Sequence, residues 1–173
     1  DAASSDPSVS HDGRYVAFSS AATNIGPLFA AGGGDPVLAP TDGLVHIYLV
    51  DRTARRFEWL DRGTSQVAGA AASGDPGADR DVASQPVISG EGEVVAFTST
   101  ARTLAGEDGN DGQLDIFACR RATGAVELVS VAFESARGGN GVSRKAHVSG
   151  NGRFVVFEGT ATDITPPGVD TNN

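Results

Sequence analysis

Methionine is absent from this 173-residue chain, and cysteine, lysine and tryptophan occur once each. The lone Cys119 cannot form an intrachain disulfide. It also leaves the redox compartment open, because many exported bacterial proteins avoid cysteine. No apolar run approaches the ~20 residues that a spanning helix needs, and no signal-peptide pattern is visible. The lack of methionine, with a start at Asp1, reads as a processed or excised piece of something longer. Basic side chains are scarce as well: 13 Lys and Arg stand against 22 Asp and Glu, for a formal net charge of −9. Such a field repels phosphate backbones and anionic lipid, so neither nucleic acid nor membrane insertion is expected. Sustained helical periodicity is also missing.

What the chain has in quantity is glycine, 23 residues, alongside 8 prolines. That usage favours many turns and short strands over long helices. Three segments align without a gap: Pro7-Ser-Val-Ser-His-Asp-Gly-Arg-Tyr-Val-Ala-Phe18, Pro86-Val-Ile-Ser-Gly-Glu-Gly-Glu-Val-Val-Ala-Phe97 and Ala146-His-Val-Ser-Gly-Asn-Gly-Arg-Phe-Val-Val-Phe157. The spacings are 79 (86 − 7) and 60 (146 − 86) residues. Ser10, Ser89 and Ser149 coincide, as do Gly13, Gly92 and Gly152. A second block repeats at a spacing of 69 (111 − 42), placing Asp42-Gly-Leu-Val-His-Ile-Tyr48 over Asp111-Gly-Gln-Leu-Asp-Ile-Phe117.

Each unit reads as four short strands. A brief apolar piece meets Asp12-Gly13, Glu91-Gly92 or Asn151-Gly152, pairs that supply the positive φ of a hairpin turn. A second strand follows at 14–19, 93–99 and 153–158, nearly continuous in Val and Phe, as suits a sheet covered on both faces. Third strands are expected at 46–50 and 115–119, turns at 53–55 and 122–124, and fourth strands at 57–60 and 126–131. Four antiparallel strands repeated in tandem are the signature of a propeller blade. The expected fold is therefore all-β: two complete β-propeller blades and a partial third, part of a larger ring. Blade 1 covers 1–83, with loop insertions at about 26–41 and 68–83; blade 2 covers 84–143 and partial blade 3 covers 144–173. Insertions of this kind are thermodynamically cheap. A half-blade leaves its second strand as an apolar edge, which implies further blades of the same protein or a protein partner covering it.

These residues carry a family likeness. Pro-x-(Val/Ile)-Ser-x-(Asp/Glu/Asn)-Gly-x-x-Val-(Ala/Val)-Phe, followed by Asp-Gly-x-x-(Asp/His)-Ile-(Tyr/Phe), resembles the TolB-like β-propeller repeat of bacterial exported proteins. The resemblance covers nearly the whole chain outside the two insertions. It implies an exported location, periplasmic, cell-surface or extracellular. It speaks for fold more than for activity, since such blades serve partner binding, scaffolding and, in some families, catalysis.

The best chemical candidate is the loop Asp108-Gly-Asn-Asp-Gly-Gln-Leu-Asp115. Oxygen side chains at Asp108, Asn110, Asp111 and Asp115 suit a hard cation, which makes calcium the expected cofactor if there is one. It is similar to the Asp-rich calcium loops of several propellers, although one residue shorter. The third unit opens the same pattern with Asp170 and Asn172, while the first has His46 in place of Asp115. The competing reading is an Asp/Asn/Gly turn capped by its own side chains. His11, His46 and His147 fit no zinc spacing and read as solvated or edge side chains, and no Gly-x-Ser-x-Gly or Ser/His/Asp set is present. Cys119, on an apolar strand, reads as a small buried hydrophobe. Trp59, Tyr15 and Tyr48, isolated along the chain, read as core or inter-blade packing.

The expected function is a non-catalytic scaffold or binding module. A propeller of a larger hydrolase or polysaccharide lyase is one alternative, and a structural subunit of a surface or filament assembly is another.

Overall fold

The computed structural model describes residues 2–25, 42–61, 83–102, 104–105 and 112–169. Both loop insertions fall outside these residues (83 apart), as do Asp108, Asn110, Asp111, Asp170 and Asn172.

Ten strands form three sheets, and every strand pairs antiparallel with its sequence neighbour. The first sheet is β1 (Ser4–Val9), β2 (Tyr15–Ser20), β3 (His46–Asp51) and β4 (Arg56–Trp59), in that order. The second repeats it with β5 (Ala83–Ile88), β6 (Val94–Ser99), β7 (Asp115–Arg120) and β8 (Ala125–Leu128). In the third, β9 (Ser143–Val148) pairs with β10 (Val155–Gly159). This is the four-stranded meander of a propeller blade, twice complete and once begun, as the repeat predicts.

The strands follow from side-chain character. β6 reads Val-Val-Ala-Phe-Thr-Ser and is buried at every position, because it lies between two other sheets. Register places Phe97 opposite Phe117, their rings stacked with centroids 6.0 Å apart. Blade 1 places Phe18 opposite Tyr48 and Tyr48 opposite Trp59. The main core runs from the Tyr15, Ala17, Ile47 and Leu49 side of blade 1 into the Val95, Phe97, Phe117 and Cys119 side of blade 2. Ala96 and Ile116, on the other face of blade 2, pack against Ala146, Val155 and Phe157 of blade 3.

Two local features refine the expected turns. The hairpin glycines do take positive φ, +68° at Gly13, +76° at Gly92 and +68° at Gly152. The preceding Asp12, Glu91 and Asn151 do not, so the connection is wider than a two-residue hairpin. The first strand of every blade also carries a bulge, with Asp6, Gln85 and Lys145 at φ of 51–53°. Two residues there oppose one on the partner strand, which bends the first strand and sharpens its local twist.

Candidate functional site

The repeated serines are absorbed by the hairpins. Ser10 Oγ accepts from the Tyr15 amide at 3.0 Å and donates to Asp12 Oδ1 at 2.6 Å. Ser149 repeats this with the Phe154 amide and Asn151, and Ser89 accepts from the amides of Glu93 and Val94. Each turn closes with a glycine amide donating to the serine carbonyl at 2.9 Å. These hydroxyls hold backbone, and in each hairpin the serine oxygen accepts from an amide.

The chemical candidate lies where the third strand begins. In blade 2, Asp115 is buried and its Oδ1 accepts from Ser130 Oγ at 2.8 Å, while Ser130 Oγ accepts from the Ile116 amide. In blade 1 the same two positions are His46 and Asp61. His46 Nδ1 lies 2.9 Å from Asp61 Oδ2, and Nε2 lies 3.2 Å from each oxygen of Asp42. Asp61 Oδ1 accepts from the Ile47 amide at 3.0 Å and from the Trp59 indole at 2.6 Å. The strand-to-strand tie is thus kept while its members change: an acid with a hydroxyl in blade 2, an imidazole between two acids in blade 1.

Burial works against a charge on His46 and is the largest single influence there, but the hydrogen bonds and charges of Asp61 and Asp42 outweigh it and raise the imidazole above its ordinary range. As an imidazolium it donates to both carboxylates. Burial first, then the two acids, push the Tyr48 hydroxyl up. Trp59 packs edge-on to the imidazole at 5.1 Å. With a carboxylate on each ring nitrogen, His46 has no nitrogen left to take a proton from a nucleophile, which general-base work requires.

Of the predicted cation ligands, Asp115 alone is described, and it is already tied to Ser130. Arg102 Nε stands 3.0 Å from where a Cβ on Gly112 would lie, so a guanidinium lies beside that glycine. His11 is exposed next to its hairpin, and His147 is exposed on β9. Cys119 is 1% exposed, and burial pushes its thiol up to about 12, so it is a packed and unreactive side chain.

Tyr15, read from the sequence as core or inter-blade packing, joins the first two blades, through partners that the sequence did not point to. Arg121 of blade 2 stacks over the Tyr15 ring at 3.9 Å, pairs with Glu58 at 3.2 Å and donates to the Gly92 carbonyl at 2.8 Å. Tyr15 in turn fills the space above Gly92, where an added Cβ would stand 2.3 Å from Tyr15 Cδ2. Val94 meets Gly152 in the same way, at 2.9 Å. The signal was available, since Arg52 and Arg121 share the 69-residue spacing and Arg52 donates likewise to the Gly13 carbonyl.

The same series leaves one face open. Phe154 follows Tyr15 and Val94, and Val156 follows Ala17 and Ala96. Ala17 and Ala96 are fully buried against the next blade, whereas Phe154 is 63% and Val156 64% exposed.

No protein-family model matches the chain, and no curated protein matches it. Solved structures similar to it include a putative TolB from Agrobacterium tumefaciens, at 19% identity and a TM-score of 0.49, over 90% of this chain and 38% of that one. TolB from Acinetobacter baumannii is similar at 17% identity and a TM-score of 0.44, over 88% of this chain and 25% of that one. The chain thus spans well under half the length of either structure. At such identities a likeness speaks to fold alone, and the three sheets themselves carry the assignment: in fold this is a run of β-propeller blades, similar to TolB.

Proposed function

We propose that the chain is a non-catalytic propeller segment of an exported bacterial protein, working as a scaffold or binding module. The observation that carries this reading is the open sheet face of blade 3, with Phe154 and Val156 at positions that the preceding blades bury against another sheet. Covering each such side chain is worth about 1.5–3 kcal/mol, so the face favours a further blade of the same protein or a protein partner over water. The polar residues that a catalytic reading would use support the same view. Ser10, Ser89 and Ser149 hold hairpins, and His46 and Asp115 tie strands.

Calcium in the 108–115 loop belongs to this proposal as a stabilising ion. There Asp111 and Asp115 occupy the positions that Asp42 and His46 hold in blade 1, so the loop lacks the imidazolium as a counter-charge. A thermal midpoint that rises with Ca²⁺ and falls with a chelator supports the ion. An unchanged midpoint removes the ion from the reading.

The reading is tested by assaying the purified chain on peptide, ester and polysaccharide substrates, and by fractionating the cells that make it. No turnover and recovery in the exported fraction are expected. Turnover lost on Asp61→Asn or Asp115→Asn would replace the scaffold with an enzyme.

A further inference from the structure

We propose that Asn151 is a site of spontaneous chemical modification, where the side-chain amide is exchanged for an acid through a cyclic imide, while the fold protects Asn140 from the same reaction. Both asparagines stand in the triplet Gly-Asn-Gly, at 139–141 and 150–152, so local sequence gives them the same intrinsic reactivity. A following glycine leaves the backbone nitrogen uncrowded and the chain free to bend toward the side chain. Any difference between the two is therefore made by the fold.

The reaction uses only the protein and water. The Gly152 nitrogen gives its proton to water and attacks Asn151 Cγ. A new N–Cγ bond forms, the Cγ–Nδ2 bond breaks, and the amide takes up a proton from water and leaves as ammonia. Water then opens the imide at either carbonyl. Opening at Cγ leaves aspartate; opening at the main-chain carbonyl leaves isoaspartate, with an extra carbon in the backbone.

At Asn151 the hairpin prepares this attack. Its Oδ1 accepts from the Arg153 amide at 3.2 Å, two residues on, which curls the carboxamide back over the Asn151–Gly152 peptide. Ser149 Oγ donates to the same oxygen at 2.9 Å. Two donors on the oxygen that turns negative during attack stabilise it as an oxyanion hole does. Nδ2, the departing group, has no partner among the described residues, and Asn151 is exposed. The cost is the hydrogen bond from the Gly152 amide to the Ser149 carbonyl, which opens as that nitrogen attacks. Neighbouring sheets do not cover this position: Glu91, its equivalent in blade 2 between two other sheets, is exposed as well. The acid product already has its place in blade 1. Asp12 Oδ1 accepts from Ser10 Oγ at 2.6 Å and from the Arg14 amide at 3.0 Å, the bonds that Asn151 makes. Those bonds, the serine's first, hold the Asp12 carboxyl below its ordinary range.

Asn140 is held in the opposite way. Its Oδ1 accepts from the Thr162 amide at 2.9 Å and its Nδ2 donates to Thr162 Oγ1 at 3.0 Å. Both ends of the carboxamide are thus turned to a residue 22 positions away, not back over its own peptide. Its own amide donates to Asp163 Oδ1 at 2.9 Å. Gly141, the would-be nucleophile, is buried, and an added Cβ there would stand 2.8 Å from the Ala161 nitrogen. Ring closure at Asn140 must break this clamp, whereas ring closure at Asn151 gives up one turn hydrogen bond.

The purified chain is held at mildly alkaline pH, either folded or unfolded in guanidinium chloride. Trypsin then places the two sites in separate peptides, 138–144 and 146–153, whose conversion is read by mass spectrometry. In the unfolded chain the two should convert at equal rates. In the folded chain Asn151 should convert about tenfold faster than Asn140 or more, and its product should contain isoaspartate. Thr162→Val removes the acceptor of Asn140 Nδ2 at an exposed position, and should speed Asn140 while leaving Asn151 unchanged. Asn151→Asp should keep the wild-type thermal midpoint, since a carboxylate accepts the same two bonds. Equal rates in the folded chain, no conversion at Asn151, or faster conversion at Asn140 overturns the proposal. Aspartate without isoaspartate overturns the imide route, and an Asn140 still slow in Thr162→Val overturns the clamp.

Discussion

Ser143 is buried with its hydroxyl unpaired, the one such side-chain atom among the described residues. It opens β9, at the position that Ala83 holds in β5. A buried hydroxyl without a partner costs on the order of 1–3 kcal/mol in lost hydration, and a methyl does not. Ser143→Ala should therefore raise the unfolding free energy by about 1 kcal/mol, measured by denaturant titration with an unchanged m-value. A loss of stability would show that the hydroxyl has a partner after all. Blade 2 already uses alanine at this position, so the volume is compatible. Other single residues were legible from the sequence because their partners are close along the chain. Ser10, Asp12 and Gly13 sit in one hairpin, and the serine-x-acid-glycine spacing shows why. His46, which reads from the sequence as a solvated or edge side chain, is instead buried, because it is paired with Asp61, 15 residues away on the far side of a turn. Only the paired exchange at the 69-residue spacing, His46 to Asp115 and Asp61 to Ser130, reveals the tie.

At the scale of strands, β3 is held at both ends by charged pairs with opposite pH behaviour. At its start, Asp61 and Asp42 raise His46 above its ordinary value against the opposing effect of burial. A raised base contributes stability that is complete below its unfolded pKa, about 6.5, and is lost as pH climbs through the folded value. At its end, the hydrogen bond from Arg14 chiefly holds the Asp51 carboxyl at about 2, aided by the Ala54 and Thr53 amides. A depressed acid contributes stability above its unfolded pKa, about 3.9, and loses it as pH falls toward 2. The thermal midpoint should thus decline on both sides of a plateau between about pH 4 and pH 6.5. His46→Gln should flatten the alkaline decline while lowering the plateau, and Asp51→Asn should remove part of the acid limb. An alkaline slope unchanged in His46→Gln would show that another group carries it, such as the Tyr48 hydroxyl beside the ring, which burial pushes up. Second and third strands were readable to within a residue or two, since their Val, Ile and Phe runs are dense. The first-strand bulge was not, because Asp6, Gln85 and Lys145 share no chemistry that would announce a left-handed residue.

For the whole molecule, what matters is how one blade recognises the next. The repeat made the blades legible, and Tyr15 reads as core or inter-blade packing, but the partners that Tyr15 meets were not legible, since a joint pairs residues of different units. Part of that joint is a side chain seated over glycine, and part is Arg121, which reaches Tyr15, Glu58 and the Gly92 carbonyl together. The Glu58 pair is partly exposed, at 31% for the acid, and solvent reduces its worth. The stacking of Arg121 on Tyr15 is the more shielded element, worth about 0.5–2 kcal/mol. A double-mutant cycle isolates it: Tyr15→Leu keeps an apolar side chain over Gly92, and Arg121→Met keeps the stem without the charge. The coupling energy should be about 1 kcal/mol, read from denaturant unfolding of the four chains. Glu58→Gln should change it little, since the ring and not the acid carries the effect. Coupling near zero would mean that the glycine seat alone sets blade order.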